Sequence, residues 1–97
     1  MWAVIAAAGS GLRLGAGGPK ALVEVAGRPL ISWSLQAFAA SESVSGVTIA
    51  APSGEEETLR RLAPGATVVT GGATRAESVA LALATTTSEA VAIHDAA

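Results

Sequence analysis

The sequence predicts a doubly wound α/β fold with a mostly parallel sheet, and three observations carry that prediction. Four short apolar runs, residues 2–8, 46–51, 66–70 and 90–94, have the length of strands. Apolar residues at helical spacing fill the intervals, so the order reads βαβαβαβ. The intervals also carry turn and cap chemistry: glycines, a proline, or Ser/Thr followed three residues on by Glu.

The elements follow in order. Residues 2–8, WAVIAAA, are apolar throughout, as a strand buried on both faces should be. A glycine-rich loop comes next. Pro29 then suits the first position of a helix, and Ile31, Leu35 and Phe38 recur at i, i+4 and i+7. GVTIAA, 46–51, is the second strand. Ser53 with Glu56 spells a capping box, and Arg60 and Arg61 occupy the last turn, where cations suit the helix dipole. ATVVT, 66–70, is the third strand, and Gly71–Gly72 make the turn after it. Thr74 with Glu77 repeats the cap spelling, with Ala76, Val79, Ala80 and Leu83 as the expected apolar stripe. The fourth strand, 90–94, runs into Asp95.

In the common doubly wound arrangement these strands lie in the order 3-2-1-4 with right-handed crossovers, and ligands bind at the carboxyl ends where the chain reverses direction. The glycine loop, Gly71–Gly72 and His94–Asp95 all leave strands at that edge. Three stretches distant in sequence therefore converge on one crevice.

Composition narrows the function. The chain has 97 residues, 51% of them hydrophobic and 14% charged, with a formal net charge of −2. One small domain is expected, and no basic excess points to a nucleic-acid partner. There is no cysteine, so neither a disulfide framework nor thiolate chemistry is available. The apolar start MWAVIAAA falls far short of the about 20 residues needed to span a bilayer, and no basic segment precedes it. A soluble, cytoplasmic protein with no membrane partner is expected.

The loop AAAGSGLRLGAGGPK, residues 6–20, holds five of the eleven glycines and two cations, Arg13 and Lys20. Lys20 is the only lysine, Asp95 the only aspartate and His94 the only histidine. A Rossmann fingerprint would need a glycine at Leu14, and a Walker A loop would need Gly-Lys-Ser/Thr where the chain has Pro19-Lys20-Ala21. What remains is A-A-G-x-G-x-R-x-G followed by P-K. Glycines let backbone N–H groups approach a phosphate closely, Arg13 offers a planar fork, and Lys20 a mobile point charge.

That loop resembles the signature of nucleotidyltransferases that join an NTP to a phosphorylated small molecule. GGATRAESV, 71–79, is similar to the G-G-x-x-R-x-x-S-V segment of the 2-C-methyl-D-erythritol 4-phosphate cytidylyltransferases, and HDAA, 94–97, to the start of their H-D-A-A-R-P. The resemblance implies a Rossmann-like sheet of the nucleotide-diphospho-sugar transferase type, with residues 1–97 its N-terminal part. It implies transfer of CMP from CTP to methylerythritol 4-phosphate, with release of pyrophosphate. Arg13 and Lys20 would stabilise the transition state. Ala7, Ala8, Gly9, Gly11, Gly72, Ala73, Ser78 and Ala96 would contact CTP, Ala73 through its backbone because it lacks the Asp of some members. Asp95 would bind Mg²⁺ or another divalent cation. The family also implies a homodimer and a longer chain that carries the acceptor contacts, so the 97-residue chain alone is expected to be inactive or nearly so.

Plainer readings stand beside these. Asp95 can cap a turn, Ser78 can satisfy a local carbonyl, and His94 reads as a packing or hydrogen-bonding histidine without a catalytic role. Trp2 and Trp33 read as core or edge packing, and Glu55–Glu57 as a solvated helix start. Two other functions remain open: a nucleotidyltransferase for ribitol 5-phosphate or another polyol or sugar phosphate, and a nucleotide-binding module without chemistry.

Overall fold

The computed structural model describes residues 1–7, 24–25, 27–88 and 90–95. Its sheet is built from β1 (Trp2–Ala6), β4 (Gly46–Ala51), β5 (Thr67–Thr70) and β6 (Val91–Asp95), in the order β5-β4-β1-β6 with every pair parallel. This is the expected 3-2-1-4 order. A two-residue antiparallel hairpin, β2 (Glu24–Val25) with β3 (Arg28–Pro29), precedes helix α1 (Leu30–Ala39). Helices α2 (Glu56–Leu62) and α3 (Arg75–Leu83) follow β4 and β5.

The apolar first strand occupies the middle of the sheet, and Ala3 to Ala7 are all fully buried. Alternation sends Ile5 and Ala7, with Ile49 and Ala51 of β4, toward Ile31 of α1 and Leu59 of α2. Val4 and Ala50 point the other way, onto Ala82 of α3. Two helices thus cover one face and one helix the other, as doubly wound connections require. Burying Ile5, Ile31 and Ile49 stabilises the fold by roughly 1.5–3 kcal/mol each.

The α3 face carries one partly buried polar chain. The Trp2 indole N–H donates to Thr48 Oγ1 (2.8 Å), Thr48 lies 2.7 Å from Thr85 Oγ1, and Thr85 donates to the Ala82 carbonyl. A hydroxyl has one proton, so Thr48 must donate to Thr85, and each acceptor is used in sequence. The chain ties β1, β4 and the end of α3 together. The Trp2 ring lies over Gly46, where a Cβ would overlap its Cζ3.

The structure moves several expected boundaries. Pro29 pairs with Glu24 as the last residue of β3, and α1 starts one residue later. Ser53 does not cap α2. Glu55 N–H bonds the Pro52 carbonyl (3.0 Å) and Gly54 takes φ +90°, the conformation a type II turn demands at its third residue. That turn holds Ser53 before the helix, whose N-cap is Glu55 with no side-chain cap. The stripe of α3 is also shifted. Ser78, Val79 and Ala82 are buried, while Ala76, Ala80 and Leu83 face outward, because Ser78 turns its hydroxyl inward to bond the preceding turn. Trp33 lies at the surface under the Arg28 guanidinium, 4.4 Å from the ring centroid.

Candidate functional site

Register brings the strand ends together at one edge. Ala6 of β1 lies opposite both Ala50 and Asp95, and Ala51 lies opposite Thr70. The ladder continues one step further through Ala7 N–H to the Ala50 carbonyl (3.0 Å) and Gly71 N–H to the Ala51 carbonyl (2.8 Å). Asp95 is therefore beside the end of β1, where the glycine loop begins. Gly71 lies three strands away, about 14 Å at about 4.8 Å per strand. The chain reverses between β1 and β6, the position at which open α/β sheets bind ligands.

Arg13, Lys20, Ala8, Gly9, Gly11 and Ala96 lie outside the described residues, and so does the Asp95 side chain. Ala7 is fully buried, and its N–H is taken by the Ala50 carbonyl. Gly72 and Ala73 form the turn out of β5, and Ser78 sits directly beneath it. The Ser78 side chain is fully buried. Its Oγ accepts the Gly72 N–H (3.1 Å) and donates to the Thr74 carbonyl (3.0 Å). The local-carbonyl reading thus holds for Ser78, joined by a bond to the turn.

The rest of the turn is set by the start of α3. Thr74 is extended (φ −121°, ψ 162°) and its Oγ1 accepts the Glu77 N–H at 3.1 Å, so the expected cap forms. Glu77 reaches back, and its Oε2 accepts the Ala73 N–H at 3.0 Å, one residue ahead of the cap. Sequence reasoning identified Glu77 as half of a capping box. Which amide its carboxylate takes depends on the path of the turn, and the spacing does not encode that.

Two neighbouring groups complete the edge. Thr70 Oγ1 donates to Glu56 Oε2 at 2.6 Å. That bond, aided by backbone N–H groups and Arg60, holds the Glu56 carboxyl below its ordinary value. His94 lies 3.1 Å from Ser34 Oγ through Nε2 and meets the Phe38 ring edge-on, centroids 5.8 Å apart. It is a hydrogen-bonding and packing histidine, as expected. Among the described residues no three His, Cys, Asp or Glu side chains gather into a metal cluster, and no helix is long and apolar enough to cross a membrane.

Comparisons with known proteins agree with this architecture. The sequence model of 2-C-methyl-D-erythritol 4-phosphate cytidylyltransferase matches residues 1–97. The enzyme of that name from Saccharopolyspora erythraea is 45% identical over 98% of this chain, and the one from Streptomyces coelicolor is 46% identical over 98%. This chain covers 46% and 39% of those two proteins, less than half the length of either. The crystal structure of the Thermus thermophilus enzyme of the same name superposes with a TM-score of 0.72 at 36% identity, over 100% of this chain and 42% of that one. With every residue inside the family match and close relatives spanning the strand edge just described, the chain belongs to the 2-C-methyl-D-erythritol 4-phosphate cytidylyltransferase family.

Proposed function

We propose that the chain forms the nucleotide-binding part of a cytoplasmic, homodimeric enzyme that transfers CMP from CTP to 2-C-methyl-D-erythritol 4-phosphate. The observation that carries this reading is the family match across residues 1–97, on a fold whose three motif-bearing stretches leave strands at one edge.

In this reaction the acceptor phosphate monoester attacks the α-phosphorus of CTP. A new P–O bond forms, the bond to the β-phosphate breaks, and pyrophosphate leaves. The nucleophile is already largely dianionic near neutrality, since its second pKa is about 6, and so no general base is required. Catalysis reduces to holding two anions together while charge builds at the α-phosphate. Arg13 and Lys20 carry the positive charge for that work, and glycine-loop amides align the triphosphate. Gly72 and Ala73, braced by Ser78 and the start of α3, face the base.

Asp95 suits a divalent ion. Mg²⁺ takes one or two carboxylates plus phosphate oxygens, and Asp95 ends β6 directly beside the residues that lead into the glycine loop. Bound there, Mg²⁺ would neutralise phosphate charge.

The test is turnover with CTP and methylerythritol 4-phosphate in the complete protein. Lys20→Ala and Arg13→Ala should each lower kcat by about 10²–10³, with CTP affinity changed far less. Unchanged turnover in both variants would return the chain to a nucleotide-binding module without chemistry.

A further inference from the structure

Among the described residues β6 pairs on one side only, with β1. The bond from the Trp2 N–H to the Ala90 carbonyl (3.0 Å) sets the phase of that ladder. In parallel pairing, alternate residues turn their main-chain groups toward a given neighbour, so Ala92 and His94 face β1 and Asp95 does not. Strand β1 shows the same alternation: Trp2 bonds toward β6, while Ala7 bonds toward β4 through the Ala50 carbonyl. His94 is therefore the last described residue of β6 whose main chain faces β1.

Side chains grip this strand unequally on its two faces. Ile93 lies opposite Val4 on the α3 face and is still 45% exposed. On the α1 face His94 is held twice. Its Nε2 lies 3.1 Å from Ser34 Oγ, and its ring meets Phe38 edge-on with centroids 5.8 Å apart. Ser34 and Phe38 are four residues apart on α1, one above the other along one side of the helix. The helix is itself fixed, because Ile31 is fully buried in a cluster with Ile5 and Ile49. The grip on His94 thus ties the end of β6 to a helix already locked onto the middle of the sheet.

Resting on the cytidylyltransferase reading above, we infer that Ser34 is a positioning residue: through His94 it sets where the carboxyl end of β6 lies against β1, and so where residue 95 meets the phosphates. Ser34 touches no substrate. The end of a strand paired on one side can shift by about an ångström without unfolding, and a misplacement of that size costs rate far more than stability. The hydroxyl is the part that matters, since alanine at 34 offers the imidazole nitrogen neither a donor nor an acceptor.

The experiment measures, in the complete protein, turnover with methylerythritol 4-phosphate, CTP affinity without metal, and Mn²⁺ affinity of the CTP complex. Alanine favours helical backbone, so Ser34→Ala should keep the fold. It should lower kcat about tenfold and weaken Mn²⁺ binding about fivefold, with CTP affinity changed less than about twofold. Ser34→Thr, which keeps the hydroxyl, should retain wild-type kcat and Mn²⁺ affinity. Ile49→Val, a trim in the buried core that lowers stability without removing either contact to His94, should retain them as well. Wild-type values in Ser34→Ala, or losses as large in Ser34→Thr or Ile49→Val, overturn the role of Ser34 alone. A wild type that does not turn over CTP with this acceptor overturns the underlying reading and this role with it.

Discussion

Ser53-Gly54-Glu55-Glu56 and Thr74-Arg75-Ala76-Glu77 share one cap spelling and fold differently. At the second, Thr74 is extended, its hydroxyl caps the Glu77 amide, and the helix starts at Arg75. At the first, the Pro52 carbonyl takes the Glu55 amide across a turn with Gly54 at φ +90°, and the helix waits until Glu56. The cause lies in the residues between cap and glutamate. Arg75 and Ala76 favour helical backbone, whereas Gly54 enters the left-handed region at no steric cost. A cap residue starts a helix only when the residues after it accept helical φ.

The two glutamates nevertheless reach the same segment. Glu56, freed from a cap role, accepts from Thr70 at the end of β5, and Glu77 accepts from Ala73 three residues later. Two helices thus hold the strand exit from opposite ends, each through a carboxylate. Rigid support of this kind would suit the base contact proposed for this turn, because a hydrogen-bonding edge discriminates only when its atoms cannot shift to suit the wrong base.

The comparison can be broken most severely at Gly72. Gly72→Ala should cost about 1–3 kcal/mol in a denaturant titration, because the new methyl group collides with Glu77. Gly65→Ala has open space around it and should be neutral, or stabilising by up to about 1 kcal/mol. A smaller effect sharpens the contrast between the two cap spellings. Thr74→Ala should cost about 1 kcal/mol through loss of the cap. Ser53→Ala should stay within about 0.5 kcal/mol of wild type, since Ser53 caps nothing. Equal losses at the two positions would mean that the turn at Gly54 does not decide where α2 begins.

Much of the architecture was legible in the residues. Strand positions came out within one or two residues because the runs are short, apolar and bounded by turn chemistry. The parallel order followed from the alternation of strands with helices. The β2–β3 hairpin was missed, since two-residue strands have no period to read and only Gly27, at φ +83°, marks the turn. The face of α3 was misassigned because alanine and leucine occur all round the helix. Its buried side is chosen by a serine, which hydropathy counts as polar. The roles of Gly72 and Ser78 were half visible: their motif marked them, but the bond that joins them needs the turn to be closed. Glu77 reads as a helix cap until its carboxylate is seen on Ala73.

The proposed function divides labour along the strand edge: the base would lie at the exit of β5, and the phosphates with their divalent ion at the junction of β1 and β6. Paramagnetic broadening of backbone amides by Mn²⁺ added with CTP to the complete protein tests it most directly. The amides of Ala6, Ala7 and Asp95 should broaden most strongly. Those of Gly71, Gly72 and Ala73, about 10 Å across the sheet from the end of β1 and about 14 Å from the end of β6, should shift on CTP binding and broaden much less. Strongest broadening at Gly72, or at Trp2 and Gly46 on the opposite edge, would contradict the account.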